Sequence, residues 1–563
     1  MTISNWGKRL TLCGVVVAAS AVTIATSSVI TATSSSASST PSTVNISDEY
    51  GVTWNCQFNP YNASDQFDSF GVVYEELVYV NNLKDGAVTP WLATSWAWGN
   101  GNRTLTFTIR KGVTWTDGQP FSAQDVLFTF DLLKNNPSLD LNADWSVLRS
   151  VALRGSDQVV FNFKTPAVPY FYYIADQTPI VPAHLWSSIK GPATYLDPHP
   201  IGTGPYVMSS CSGANIQYTK NAHYWQPGLP KIQTVNFPSY LSNNTANQDL
   251  KSGVDQWGSQ FIPNIQKYYL DANPKYYHYW FDPGFNVDMF INLTNPILSN
   301  LAVRQAMAYG INRAQVSQIG EYGYEPPSNQ TMIVKPTFSG WYDPSLAAKY
   351  GNAYAYNPSK AISILEAAGF KRGSDGIFAK DGQKLSFTII NNSGFSDWVS
   401  AVNVVQANLK AVGIQVTPNN LSNTTFEADV FDGHYQLAYN WIYGSFGPTP
   451  YYELRDILYS ANSAPIGKSA ASNYERYMSK STDALIDQYA ATTSPAAQHA
   501  IVDELEGVML SQVPVIPVTE AVDWYQYDTQ NIGGWVTPSD PYAQPAQYAV
   551  PDWGVVLLHL YAK

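Results

Sequence analysis

Residue types that do covalent or metal chemistry are present in this chain, but none stands in the spacing that such chemistry needs. The seven histidines fall at 184, 199, 223, 278, 434, 499 and 559, with no His-Glu-x-x-His or Cys/His ligand pattern among them. Gly467-Lys468-Ser469 ends like a phosphate-binding loop, yet the position of that loop's first glycine holds Asn462 and no strand precedes it. A Gly-x-Ser-x-Gly nucleophile elbow does not occur. Paired carboxylates for glycoside hydrolysis come from distant segments, so spacing does not test them. What the chain has in excess is rings: 38 Tyr, 23 Phe and 17 Trp make it 14% aromatic. Tyr and Trp offer large contact area at low entropy cost, which suits a cleft that binds by stacking. An unusually aromatic core explains the surplus equally well.

The elements that must position these residues are bounded first by length and charge. At 563 residues the chain exceeds what one core holds, so two or three lobes are expected. Only 13% of residues are charged, about half the usual share. The net charge of −12, with no Lys/Arg cluster longer than a pair, excludes the electrostatic footprint of nucleic-acid binding. Lys8-Arg9 precede an uncharged run from Leu10 to Ile30, and Ser/Thr-rich sequence follows. That order reads as an export signal, with cleavage after Ala32 or Ala37, or as an uncleaved anchor. Cys13 mimics a lipoprotein acylation site without an apolar run before it. Cys56 and Cys211 remain. An even pair in an oxidising compartment reads as one structural disulfide, with two free buried thiols as the alternative.

Along the chain, short β-like runs alternate with helical ones. Thr104–Ile109 alternates with period two and ends at Arg110-Lys111-Gly112, a strand running into a turn. Asp117-Gly118 makes a second turn, and Ser122 caps a helix carrying Val126, Phe128 and Phe130. Ser299 and Pro358 open further helices. A strand Leu385–Ile390, a helix Trp398–Val412 and a strand from Ile414 follow in order. The pattern predicts α/β lobes without a fixed repeat, and without a low-complexity linker between them.

The segment Arg110–Val126, reading RKGVTWTDGQPFSAQDV, closely resembles the signature of family 5 solute-binding proteins. The resemblance continues through Ile180–His184, Pro200–Tyr206, Asn221–Trp225, Ser252–Asp255, Val303–Ala306, Asn357–Ala361, Val513–Pro517 and Gly534-Trp535, in order over most of the chain. It implies an α/β clamshell of two lobes, type II-like, with an extra subdomain on the first. Residues 1–43 would be signal or anchor, 44–69, 200–291 and 519–563 lobe one, 70–199 the subdomain, and 292–518 lobe two. Most motif residues have structural roles: Gly202 and Gly204 permit close packing, and Arg304 is expected to pair with a carboxylate.

The family also implies a ligand enclosed between the lobes, no cofactor and no catalysis. It implies a monomer working with the membrane permease of an ABC importer. In peptide-binding relatives an Asp three residues after a Trp takes the ligand's ammonium. Here the Trp matches Trp441 and the Asp position is Gly444, so either another acid (Asp397 or Glu453) substitutes or the guest has no ammonium there. An ammonium buried without a partner costs several kcal/mol. The loop Tyr439–Pro450 also resembles the Gly-Pro-Thr-Pro segment of cello-oligosaccharide binders. Expected ligand contacts are Asn440, Trp441, Tyr443 and Gly444, with Trp398 behind a loop of the second lobe, Asn59 and Tyr61 on the first, and Trp524 at the cleft mouth. An oligopeptide is the family default, and an oligosaccharide is the alternative. A secreted hydrolase and a structural surface protein are the rival classes.

Overall fold

Period-two alternation produces the first of the three larger sheets. In Thr104–Ile109 the residues Leu105, Phe107 and Ile109 point inward and the threonines outward. Leu105 lies opposite Phe161 of the strand Gln158–Phe163, and Ala93–Gly99 and Leu148–Arg154 complete an antiparallel four-stranded sheet. The helix Ala123–Asn135 packs on it. Ser122 accepts the Gln124 N–H while Asp125 accepts the Ser122 N–H, a reciprocal capping box. Asp125 also takes the Ala183 N–H, tying the helix to the next segment.

The structure, a computed structural model, describes residues 42–48, 53–62, 69–84, 86–335, 337–442, 447–492 and 494–563. The signal segment with Cys13 and both cleavage points, and also Tyr443 and Gly444, lie outside them. All described residues belong to one unit, Pro41–Lys563. Among them no helix is long and apolar enough to cross a membrane.

Two further sheets form the lobes. A seven-stranded sheet runs, edge to edge, through Tyr277–Tyr279, Gln526–Asp528, Trp257–Ser259, Thr43–Asp48, Thr234–Pro238, Asn215–Lys220 and Tyr206–Ser212. A five-stranded sheet has the order Gln415–Leu421, Ser386–Asn392, Leu437–Trp441, Asp282–Ile291, Val515–Asp523. Asp282–Ile291 was expected in the first lobe, with the break at 291/292. It pairs instead with both Leu437–Trp441 and Val515–Asp523. The ladder therefore carries the chain into the second sheet some ten residues earlier. Two adjacent antiparallel connections join the sheets. Tyr279 pairs Gln526 on one side and Asp282 pairs Asp523 on the other, leaving only Trp280-Phe281 and Trp524-Tyr525 between. Trp280 N donates to Tyr525 O at 3.1 Å.

Motif glycines pack as expected. A Cβ on Gly202 would lie 1.7 Å from Val73 O, and one on Gly204 2.3 Å from Val72 O. No side chain fits there. Arg304 departs from expectation. It donates to four carbonyl oxygens (Leu298, Ser299, Gln512 and Val513) and to no carboxylate. Two of these lie at the end of helix Pro495–Gln512, whose last carbonyls have no helical partner. The helix assigned to a Ser299 cap starts from Asn300, which accepts the Ala302 N–H. Cys56 and Cys211 are joined, with S–S 2.06 Å across 155 residues.

Candidate functional site

The strand Leu437–Trp441 is central in its sheet, so both its faces are covered and each residue's environment follows from parity. Tyr439 and Trp441 share one face, and helix Ser396–Ala411 lays Trp398 across both at 5.6 Å. Phe285 and Phe395 close further on Trp441. Trp398 is thus a buried brace behind Trp441. Asn440 points the other way. It is 1% exposed, opposite Asp288 of the neighbouring strand.

Trp441 and Ile442 form one wall of a cavity of about 220 Å³. Phe431, Arg455, Asp456 and the segment 470–474 add to this side, and the facing walls come from three separate segments. Pro60, Tyr61 and Phe70 approach from the N-terminal side. Asp140, Asn142, Asp144, Tyr173 and Gln177 approach from the four-stranded subdomain, and Gln544 and Tyr548 from the C-terminal tail. The Trp441 and Tyr548 rings meet at 5.7 Å. The cavity therefore lies where the subdomain, the first lobe and the second lobe converge.

Its rim is bridged by helix Tyr451–Leu458 of the second lobe. Tyr452 donates to Pro169 O at 2.8 Å, and its ring meets those of Tyr172 and Tyr173 edge-on. Arg455 donates to Asn142 O at 3.1 Å and to Asp456 at 3.1 Å. Its guanidinium also lies 4.9 Å from the Tyr173 ring. Among the described residues Arg455–Asp456 is the one ion pair with both partners buried. Burial pushes the Asp456 carboxyl up to about 7 against the pull of Arg455. Burial, and then the neighbouring Asp140, hold Asp144 well above the carboxylate range. Burial raises Asp140 as well.

Of the expected contacts, Tyr61 and Trp441 line the cavity. Asn59 does not. Its amide donates to Pro192 O and Tyr195 O, and its oxygen accepts the Tyr61 N–H, so it holds the loop that presents Tyr61. Trp524 is not among the residues lining this cavity. It lies in the connection between the two sheets, packed on Phe261, Phe281 and Tyr324, because the strand before it ends in one sheet and the strand after it begins in the other. The two acids considered as substitutes have partners of their own. Glu453 accepts both the backbone and side-chain N–H groups of Asn286, and Asp397 faces Asn243. Sequence reasoning missed Arg455, Asp456, Asp144, Tyr173 and Tyr548. The one local signal was charge embedded in an apolar helical run, Tyr451-Tyr-Glu-Leu-Arg-Asp-Ile-Leu458. Such charges are rarely buried unless paired.

With this geometry in view, the comparisons with known proteins become specific. Residues 87–464 match the model for bacterial extracellular solute-binding proteins, family 5, more than half of the chain. The chain belongs to that family. It is 29% identical over 332 residues to the oligopeptide-binding protein AppA of Bacillus subtilis, covering 55% of this chain and 56% of AppA. It is 24% identical over 421 residues to the nickel-binding periplasmic protein of Escherichia coli, 71% and 76% of the two chains. A periplasmic oligopeptide-binding protein of an ABC transporter from Thermotoga maritima, solved with mannohexaose, superposes with a TM-score of 0.86 at 25% identity. That match covers 93% of this chain and 99% of the other. The α/β clamshell is thus the family's, and these family 5 relatives are binding proteins. Among the described residues no group of three or more His, Cys, Asp or Glu could hold a metal ion.

Proposed function

We propose that this family 5 protein captures an oligopeptide-class solute in the cavity behind Trp441. It would then deliver the solute, chemically unchanged, to the membrane permease of an ABC importer. The observation that carries this reading is the cavity's construction from three separate parts. Tyr61, Tyr173 and Trp441 reach it from different units, so a guest touching all three favours the arrangement in which they converge. Closure would be a hinge movement about Trp280-Phe281 and Trp524-Tyr525, stabilised by the guest's contacts to both sides. The basic, apolar and small-residue order of the N-terminus supports export, by cleavage or by anchoring, and the family's description as extracellular supports it too.

A second reading, an oligosaccharide guest, is favoured by one observation: the Thermotoga maritima relative was solved with mannohexaose. Sugar rings stack on Trp and Tyr faces such as those of Trp441 and Tyr61. Mass spectrometry of whatever co-purifies, followed by a melting screen of tripeptides against cello-oligosaccharides, separates the two. A guest at 100 times its Kd should add about 2.7 kcal/mol of stability. Recovering the guest cleaved after incubation would replace the carrier reading with the hydrolase one. No shift with any member of either class would remove both guest classes.

A further inference from the structure

The cavity's charge is one-sided. Asp140, Asp144 and Asp456 line it, against the single cation Arg455. Neither lysine nor histidine is present among its described lining residues. Arg455 is already engaged by Asp456, by Asn142 O and by the rings of Tyr170 and Tyr173. Asp140 spends both oxygens on backbone N–H groups, those of Asp144 and Trp145.

Asp144 is different. Its side chain is fully buried, and Oδ1 has no hydrogen-bond partner. Oδ2 has only the Thr178 hydroxyl at 3.2 Å, and that hydroxyl lies nearer the Tyr173 carbonyl, at 2.8 Å. One hydroxyl proton serves one of them. Buried polar atoms are nearly always satisfied, so an unpartnered oxygen on a carboxyl group in a cavity wall points to a missing partner, and a cation brought there would let the group ionise.

We propose that the guest carries a positively charged nitrogen and that Asp144, on the subdomain side of the cleft, is the residue that receives it. The proposal rests on the peptide-carrier reading and sharpens it. The charge recognised would be an amine of the guest, held opposite the second lobe's Trp441 rather than by the second lobe itself. A neutral guest would leave the acidic wall without a cation beyond Arg455. An anionic guest would face three carboxyl groups and one cation, of which only Nε is without a hydrogen-bond partner.

The test uses the full chain and four probes in titration calorimetry. These are a mixed tripeptide pool, the same pool N-acetylated, a glucosamine tetramer and an N-acetylglucosamine tetramer. The expected result is that the free-amine peptides bind at least tenfold tighter than their acetylated counterparts. Asp144→Asn should bring the two within about threefold, with its melting point recorded to confirm folding. Equal binding of both peptide pools to the natural chain overturns the inference while the peptide reading stands, and that arm needs no variant. Preference for the glucosamine tetramer alone keeps the charge and removes the peptide. Saccharides bound without regard to acetylation, or no binding by any probe, removes both.

Discussion

Two of the places where the halves of this molecule meet are built from different chemistry. Behind the cleft, two covalent connections run side by side, and Phe261, Phe281, Tyr324 and Trp524 pack around them as rings with no buried ion pair. In front, helix Tyr451–Leu458 meets helix Tyr170–Ala175 through a guanidinium, hydroxyls and tyrosine edges. Apolar packing is short-ranged and insensitive to small rotation, so it keeps a pivot intact while its ends turn. Directional hydrogen bonds are made in one arrangement and lost within a few tenths of an ångström. The proposed closure therefore needs the back to persist and the front to be made and broken.

Trp524→Ala tests the back and should give the largest effect. Removing a buried Trp from a tight cluster costs about 3–5 kcal/mol, read as a lower denaturant midpoint with the solution dimensions of the folded protein unchanged. Arg455→Met tests the front. Taking one partner from a buried ion pair costs about 3 kcal/mol of the bridged arrangement. Under the hinge closure proposed above the open form lacks these contacts, so the loss should appear as a larger radius of gyration in solution scattering, with little change in the melting point. If Arg455→Met instead lowers the midpoint as far as Trp524→Ala does, the front is a permanent interface and the contrast fails. Tyr452→Phe removes one hydrogen bond to Pro169 O and leaves that carbonyl unpartnered, about 1 kcal/mol. It should shift the same scattering measurement part of the way.

How much of this was legible in the sequence follows the same division between local and distant causes. The capping box at Ser122 and the alternating strand at 104–109 are written within a few residues, and they stand where the pattern put them. Trp441 could be placed at the ligand site because it matches the Trp of the family's ligand-binding strand, a resemblance carried by the residues around it. Trp524 could not, because its role depends on which sheet each flanking strand joins, and those pairings span more than 200 residues of chain. Arg455 was invisible for a related reason. Its partner Asn142 is 313 residues away, and nothing local distinguishes a guanidinium that bridges lobes from one on a solvated helix face. Local grammar gives the elements. The contacts between halves are set only when the lobes come together.

The smallest effect separates the two regions by pH. Burial raises Asp282, beside the connection, to about 6 and Asp456, at the rim, to about 7. A carboxyl whose folded pKa lies above its unfolded value of about 4 holds its proton more tightly when folded. Its contribution to stability is therefore complete below pH 4 and is lost as pH rises through the folded value. The chain should melt at a higher temperature near pH 4 than near pH 8, the reverse of a protein whose carboxylates are salt-bridged. Asp282→Asn should flatten the profile between pH 4 and 6, and Asp456→Asn should flatten it up to about 7. Each effect should be on the order of a degree, since one group is a small part of the unfolding entropy of a chain this long. Asp456→Asn keeps Arg455 but removes its charge partner, so its profile should also respond to added salt less than that of the natural chain. A melting point that climbs from pH 4 to 8 would mean these acids find cations or open to water before they ionise. The front of the molecule would then be wetter than its burial implies.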